Sequence, residues 1–210
     1  MVWRSVKFLK ANCCKLVVGK PARKKTIGVL ALQGDFEAHQ NALECAGAIS
    51  VPVRTAGQLN SIDALILPGG ESTTMLKLLD RENLWDPLTA FGQQKSIFGT
   101  CAGAILIANH VENPIQRSLG LIDMTIERNG YGRQLDSHIG NIHPAGWGFD
   151  VEAVFIRAPI IRHVGAQARV LAYHRDHPVL VEQGRHMAAT FHPELTADPR
   201  IHRLFLDKVK

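Results

Sequence analysis

The chain has 210 residues, 46% hydrophobic and 20% charged, which excludes wholesale disorder and suffices to bury a core unaided. No apolar run reaches the about 18 residues that a membrane-spanning helix needs, so no membrane partner is expected. The net charge of +5 invites a nucleic-acid partner until it is located: residues 1–25 hold eight basic residues and no acid, leaving 16 basic against 19 acidic beyond, a net of −3. The body is mildly acidic, and no nucleic acid is expected either.

Residues 1–25 differ from everything after them. The arm is basic, acid-free and broken by Gly19-Lys20-Pro21. A secretory signal needs roughly 7–15 continuous apolar residues, and the longest stretch here is Leu16-Val17-Val18. A single Ser and the excess of Lys over Arg fit an organelle transit peptide poorly. A transit segment, a basic tail and an upstream start site all stay open. Cys13, Cys14, Cys45 and Cys101 form no regular framework, which points to a reducing compartment and, for the body, the cytoplasm.

Past the arm, residues 26–32 are a near-continuous apolar run, the pattern of a strand buried on both faces. Residues 36–46 follow as a helix, with Asp35 as N-cap and Gly47 as its stop. Strands are expected at 49–54 and 64–67, helices at 73–79 and 84–94, a short strand at 96–99 and an apolar helix at 104–108. This alternation implies a parallel sheet covered on both faces. After Asn113 the rhythm changes to strands at 121–127, 151–156, 170–173 and 179–182. Gln183-Gly184-Arg185 is a hairpin connection into a strand at 187–191, and 201–209 closes the chain as a helix. Residues 26–210 therefore form one α/β domain with antiparallel additions, preceded by the basic extension.

The strongest chemical feature is SIFGTCAGAIL, residues 96–106. Cys101 sits where a strand gives way to an apolar helix, among small residues and two glycines, as in a nucleophile elbow. That position places the thiol at a helix N-terminus, which favours thiolate, and aims the Ala102 N–H at an oxyanion. A buried cysteine packed as a small hydrophobe is the alternative. A thiol nucleophile needs a base and often a group to orient it. Among ten histidines, His192 stands out in ATFHPEL, where Pro193 turns the chain and Glu194 is close enough to hold the imidazole tautomer. Alone this is a His-Pro turn beside a solvated Glu. Beside Cys101, a Cys/His/Glu set is the better reading.

Pro68-Gly69-Gly70-Glu71-Ser72 lies between a strand and a helix, where a glycine pair lets backbone approach a ligand and offers N–H groups to an anion. Neither a Gly-Lys-Ser/Thr loop nor a G-x-G-x-x-G after the first strand supports a nucleotide site, and no cofactor is implied. Arg128 and Arg157, at strand ends, suit either a bound carboxylate or an ordinary surface ion pair. His174 and His177 are closely spaced but lack cysteine partners, so no metal is expected.

Taken together, GVLALQGDF (28–36), LILPGGESTT (65–74), FGTCAGAILIA (98–108), ERNGYGRQLDS (127–137), FIRAP (155–159) and ATFHPELT (189–196) resemble the class I (triad) glutamine amidotransferases. More closely, they resemble the glutaminase-subunit family of pyridoxal 5′-phosphate synthase. The blocks come in the family's order over nearly the whole body. The resemblance implies a flavodoxin-like three-layer α/β/α domain, mostly parallel with antiparallel additions, that hydrolyses L-glutamine to glutamate and ammonia. By motif, Cys101 is the nucleophile, His192 the general base and acid, and Glu194 the residue orienting it. Gly69, Gly70, Glu71, Arg128, Ile156 and Arg157 fall on the glutamine site, with Gly70 and Ala102 as oxyanion N–H donors. The family's partner is the lyase-type synthase subunit, in a large hetero-oligomer. That subunit receives ammonia through a channel, joins it to a pentose 5-phosphate and glyceraldehyde 3-phosphate, and activates the glutaminase on docking.

Three features depart from the family pattern. Ala38 stands where Glu usually precedes the first-loop His39, His138 stands where Phe usually follows Asp-Ser, and the basic arm has no counterpart in most relatives. The triad alone would equally suit another triad amidotransferase or a γ-glutamyl hydrolase; a silent synthase-binding scaffold is a third reading, against which the intact triad argues.

Overall fold

Apolar runs without polar alternation make strands only where both faces are covered, and here they are. A computed structural model describes residues 23–128 and 137–210. The first half runs β1 (Thr26–Leu30), α1 (Phe36–Ala46), β2 (Ile49–Val53), β3 (Ala64–Leu67), α2 (Ser72–Arg81), α3 (Trp85–Gln94), β4 (Ser96–Thr100) and α4 (Ala102–Ile107). The second runs β5 (Ala108–Glu112), β6 (Ile122–Glu127), β7 (His138–Ile142), β8 (Val151–Phe155), β9 (Ile160–Val164), β10 (Arg169–His174), β11 (His177–Gln183), β12 (His186–Ala189) and α5 (Arg200–Lys208).

The main sheet has seven strands in the order β10-β11-β12-β4-β3-β1-β2. From β12 to β2 every pairing is parallel, while β10 and β11 extend the sheet antiparallel. Alternate side chains enter two cores, as the period of two in a strand requires. Ile27, Val29, Ala64, Ile66 and Phe98 pack against Leu43 of α1 and Phe205 of α5. Leu65, Leu67 and Ile97 pack against Met75 of α2, Phe91 of α3 and Leu106 of α4. The result is the expected helix–sheet–helix sandwich of a flavodoxin-like fold. A small sheet, β5-β6-β9, joins the α4 side, and the β7–β8 hairpin joins the α5 side.

Local chemistry sets the helix ends. The Asp35 carboxylate accepts from the Ala38 N–H at 3.3 Å, and Gly47 closes α1 in the left-handed region at φ 95°. The expected hairpin is present as Gly184-Arg185 between β11 and β12. A second tight turn, Arg175-Asp176, joins β10 to β11 with φ of 48° and 65°. Two expectations shift. The helix read at 104–108 starts at Ala102 and stops at Ile107, because the chain passes directly into β5. Strands β5, β7 and β9 were not anticipated. They are short and exposed along part of their length, so their patterns carry little apolar signal.

Candidate active site

The loops after β3, β4 and β12 converge at the carboxyl ends of three adjacent parallel strands, where open α/β sheets bind ligands. Cys101 joins β4 to α4 at φ 47° and ψ −105°, a conformation an L residue holds only under constraint. Packing supplies that constraint. The Cys101 N–H donates to the Ala189 carbonyl of β12 at 2.8 Å. A Cβ on Gly99 would lie 2.4 Å from the Gly103 backbone, and one on Gly103 would lie 2.0 Å from the Leu67 carbonyl oxygen. Strand β4, helix α4 and the end of β3 therefore meet backbone to backbone. The glycines two before and two after the cysteine exist for that contact.

His192 follows β12, whose ladder ends at Ala189, three residues before the histidine. There the chain leaves the sheet, and the His192 N–H donates instead to the Val154 carbonyl of β8 at 2.8 Å. A 3₁₀ turn at Pro193–Leu195 folds Glu194 back beneath the ring, with His192 Nδ1 2.7 Å from Glu194 Oε1. A carboxylate there holds the proton on Nδ1 and leaves Nε2 for the thiol. Burial alone would lower the His192 pKa. The hydrogen bonds and charges of Cys101 and Glu194 outweigh it and raise the pKa to about 10. Burial would raise the Glu194 pKa, but His39 and His192 bring it down to about 2. The pair is a buried carboxylate beside an imidazole that favours its protonated form.

The cleft over Cys101 is lined by Gly70, Glu71, Ala102, Ile105, Arg128, Ile156, Arg157, Pro159 and His192, among others. Apart from Gly69 and Glu194, every residue assigned to the site from the sequence opens onto it. Glu194 lies behind His192, and Gly69 packs against the His192 ring. Gly70 sits at φ 139°, a conformation L side chains rarely adopt, and lines the same cleft. The Ile156 carbonyl oxygen is 3.9 Å from Cys101 Sγ, and Arg157 follows at φ 45° with no ion pair among the described residues. Arg128 is engaged: its Nη2 lies 2.7 Å from Thr73 Oγ1 and 3.2 Å from Glu71 Oε1. Glu71 in turn caps α2, accepting from the N–H groups of Thr73 and Thr74. Its carboxylate thus positions Arg128 and the loop rather than standing free.

The sequence reading missed three residues behind Cys101, His192 and Glu194. His39 of α1, Thr100 of β4 and His202 of α5 are completely buried, and His39 Nε2 lies 3.3 Å from Glu194 Oε2. Their signal was present but faint. His39 is in helical phase with buried Leu43, and His202 with buried Phe205, so each places a histidine on a core-facing stripe. Residues 129–136, most of the ERNGYGRQLDS block, lie outside the described residues.

His174 and His177 face each other across the β10–β11 turn. His174 bonds His138 through paired Nε2 atoms at 2.9 Å, and both rings stack on Phe155. His138 thus contributes a flat ring to that stack. No group of three or more His, Cys, Asp or Glu is placed to hold a metal ion among the described residues. No helix among them is long and apolar enough to cross a membrane.

Comparison with known proteins agrees with this fold. The profile of the SNO glutamine amidotransferase family matches residues 29–210. The chain belongs to this family. It is 58% identical over 192 residues to the pyridoxal 5′-phosphate synthase subunit PdxT of Solibacter usitatus, covering 88% of this chain and all of that protein. It is 48% identical to the PdxT subunit of Brevibacillus brevis, covering 88% of this chain and 97% of that one. A crystal structure described as a glutamine amidotransferase superposes with a TM-score of 0.81 at 45% identity, over 87% of this chain and 98% of that one. PurLQS from Thermotoga maritima, at 16% identity and a TM-score of 0.61 over 89% of this chain and all of the matched one, shares the fold. In this chain the flavodoxin-like core brings Cys101 and His192 to one cleft, with Glu194 behind the histidine.

Proposed function

We propose that this chain is the glutaminase subunit of a pyridoxal 5′-phosphate synthase. It hydrolyses L-glutamine to L-glutamate and ammonia and passes the ammonia to a synthase subunit. One observation carries the reading. A cysteine on a constrained elbow shares a cleft with a glutamate-held histidine and two arginines, in a chain closely similar to PdxT subunits.

Cys101 Sγ attacks the γ-carboxamide carbon, and the thiol proton passes to His192 Nε2. The raised His192 pKa favours the proton there. The N–H groups of Gly70 and Ala102 donate to the developing oxyanion. Collapse of the tetrahedral intermediate breaks the C–N bond, and His192 delivers its proton to the departing nitrogen, leaving a γ-glutamyl thioester and ammonia. His192 then takes a proton from water, which attacks the thioester, and the thiol leaves with that proton. Arg128 and Arg157 hold the α-carboxylate at the cleft rim, beside Gly69, Gly70, Glu71 and Ile156. Residues 26–210 form the catalytic domain, 1–25 an extension to it, and the enzyme works in the cytoplasm. The synthase subunit docks in a hetero-oligomer, completes the oxyanion site and receives ammonia without release to solvent.

The test is glutamine hydrolysis by the full chain, with and without the synthase subunit. Stimulation by that subunit is expected, and Cys101→Ala abolishes turnover by at least about 1,000-fold. Hydrolysis retained in Cys101→Ala overturns the nucleophile. Delivery of ammonia to a histidine, purine or anthranilate synthase instead overturns the partner.

A further inference from the structure

Glu194 holds His192 by one carboxylate oxygen, and the other has no hydrogen bond among the described residues. Oε1 faces His192 Nδ1 at 2.7 Å. Oε2 is buried with no fully aligned hydrogen-bond donor among the described residues, and His39 Nε2 lies 3.3 Å from it. The last torsion of a glutamate is broad, so a carboxylate gripped on one side rocks and carries its imidazole with it. A second grip is what would hold His192 steady over Cys101.

His39 is built to supply it. The ring enters from α1 and is fixed at both nitrogens: Nε2 lies 3.1 Å from Thr100 Oγ1, and Nδ1 lies 3.0 Å from His202 Nε2 on α5. His39, Thr100 and His202 are all fully buried. Burial, the dominant influence, pushes the pKa of both histidines down, so His39 meets Glu194 as a neutral ring with one N–H. If that proton sat on Nδ1, a bare Nε2 lone pair would face a carboxylate. On Nε2, it has two oxygens within reach, Thr100 Oγ1 at 3.1 Å and Glu194 Oε2 at 3.3 Å, and Nδ1 accepts from the His202 Nε2–H. The carboxylate charge selects the second arrangement. It also leaves His202 Nδ1, which has no hydrogen-bond partner among the described residues, as a bare lone pair in the core.

We propose that His39 is a positioning residue for catalysis: its Nε2–H, aligned from behind by His202, fixes the second oxygen of Glu194 and through it the His192 ring. The proposal rests on the glutaminase reading only for its kinetic test. The competing account makes His39 a packing residue between α1 and α5, with no bearing on turnover.

Two amides separate these accounts, because the amide of Asn reaches the place of Nδ1, where its oxygen accepts from His202, and the amide of Gln reaches the place of Nε2, where its nitrogen donates toward Glu194. His39→Asn keeps a group toward His202 and loses the one toward Glu194, and His39→Gln does the reverse. The full chain with its synthase subunit is assayed for kcat and KM, and Cys101 alkylation by iodoacetamide is followed by mass spectrometry. His39→Asn is expected to lower kcat about 10-fold with KM unchanged and to slow alkylation, and His39→Gln to recover most of both losses. His202→Leu, which leaves Glu194 untouched, lowers kcat by less than His39→Asn. Equal effects of Asn and Gln, or thermal destabilisation with kcat intact, overturn the proposal. Wild-type protein that alkylates but never hydrolyses glutamine sinks the glutaminase reading, and the Asn/Gln order in alkylation still judges His39.

Discussion

Gly69 bears on the histidine through the side chain it lacks. A Cβ there would lie 2.4 Å from His192 Cε1 and 3.3 Å from Cys101 Cβ. The clash falls beside the Nδ1 that Glu194 holds, so relieving it strains that hydrogen bond. Gly69→Ala is therefore expected to cost about 1–3 kcal/mol of stability and at least about 10-fold in kcat. Urea unfolding and steady-state kinetics on the same preparation check both, and an unchanged kcat means that the imidazole has room to move. Cys101, His192 and Glu194 were legible in the sequence because their signals are local: glycines around one, a proline and a glutamate beside another. His39, Thr100 and His202 were not, because they meet only when α1, β4 and α5 pack together. A histidine on a core-facing stripe looks the same whether it fills space or holds a carboxylate.

Helix α2 ties stability to the site through its cap. Glu71 accepts from the N–H groups of Thr73 and Thr74 and from the Thr74 hydroxyl, and it also pairs with Arg128. Burial would raise its pKa, but these hydrogen bonds bring it down to about 2. The folded value thus lies below the unfolded 4.5, so the stabilisation is present above pH 4.5 and lost as pH falls through about 2. The side chain is 52% exposed, and solvent screening keeps the effect modest, about 0.5–1 kcal/mol. Glu71→Ala should lower the urea midpoint at pH 7, and its difference from wild type should shrink as pH falls below 4. A difference independent of pH would mean that helix propensity, and not the charged cap, sets the cost. Capped helices and doubly buried strands could be located from residues alone. Strands β5, β7 and β9 could not, since each is short, partly exposed and shows little apolar pattern of its own.

For the molecule as a whole, the arm's charge and the domain's stability separate at a definite residue. Lys25 Nζ donates to the Leu206 carbonyl at 2.7 Å and also reaches Val209, while the Lys25 carbonyl accepts from the Ile49 N–H at 2.9 Å. Deleting residues 1–22 removes five basic residues and no acid, taking the net charge from +5 to 0. That truncation should abolish cation-exchange retention and leave the Tm and glutaminase activity unchanged. Extending it through Lys25 should cost about 1–2 kcal/mol, or about 2–8 °C in Tm. Equal Tm values for the two truncations would count against any role of Lys25 in fastening α5 and β2.

The chain's own residues determined that the positive charge is concentrated in the arm. They determined too that a doubly covered parallel sheet follows, and that a cysteine elbow and a His-Pro-Glu turn end two of its strands. Each of these is written in contiguous residues, where steric and hydrogen-bonding preferences act over a few positions. The tertiary structure alone decided that β12 lies beside β4, which brings His192 to Cys101. It also decided that β8 anchors His192 through Val154, and that two buried histidines stand behind Glu194. Those contacts join residues far apart in the chain, and only packing the two cores against one sheet selects which of many possible neighbours meet.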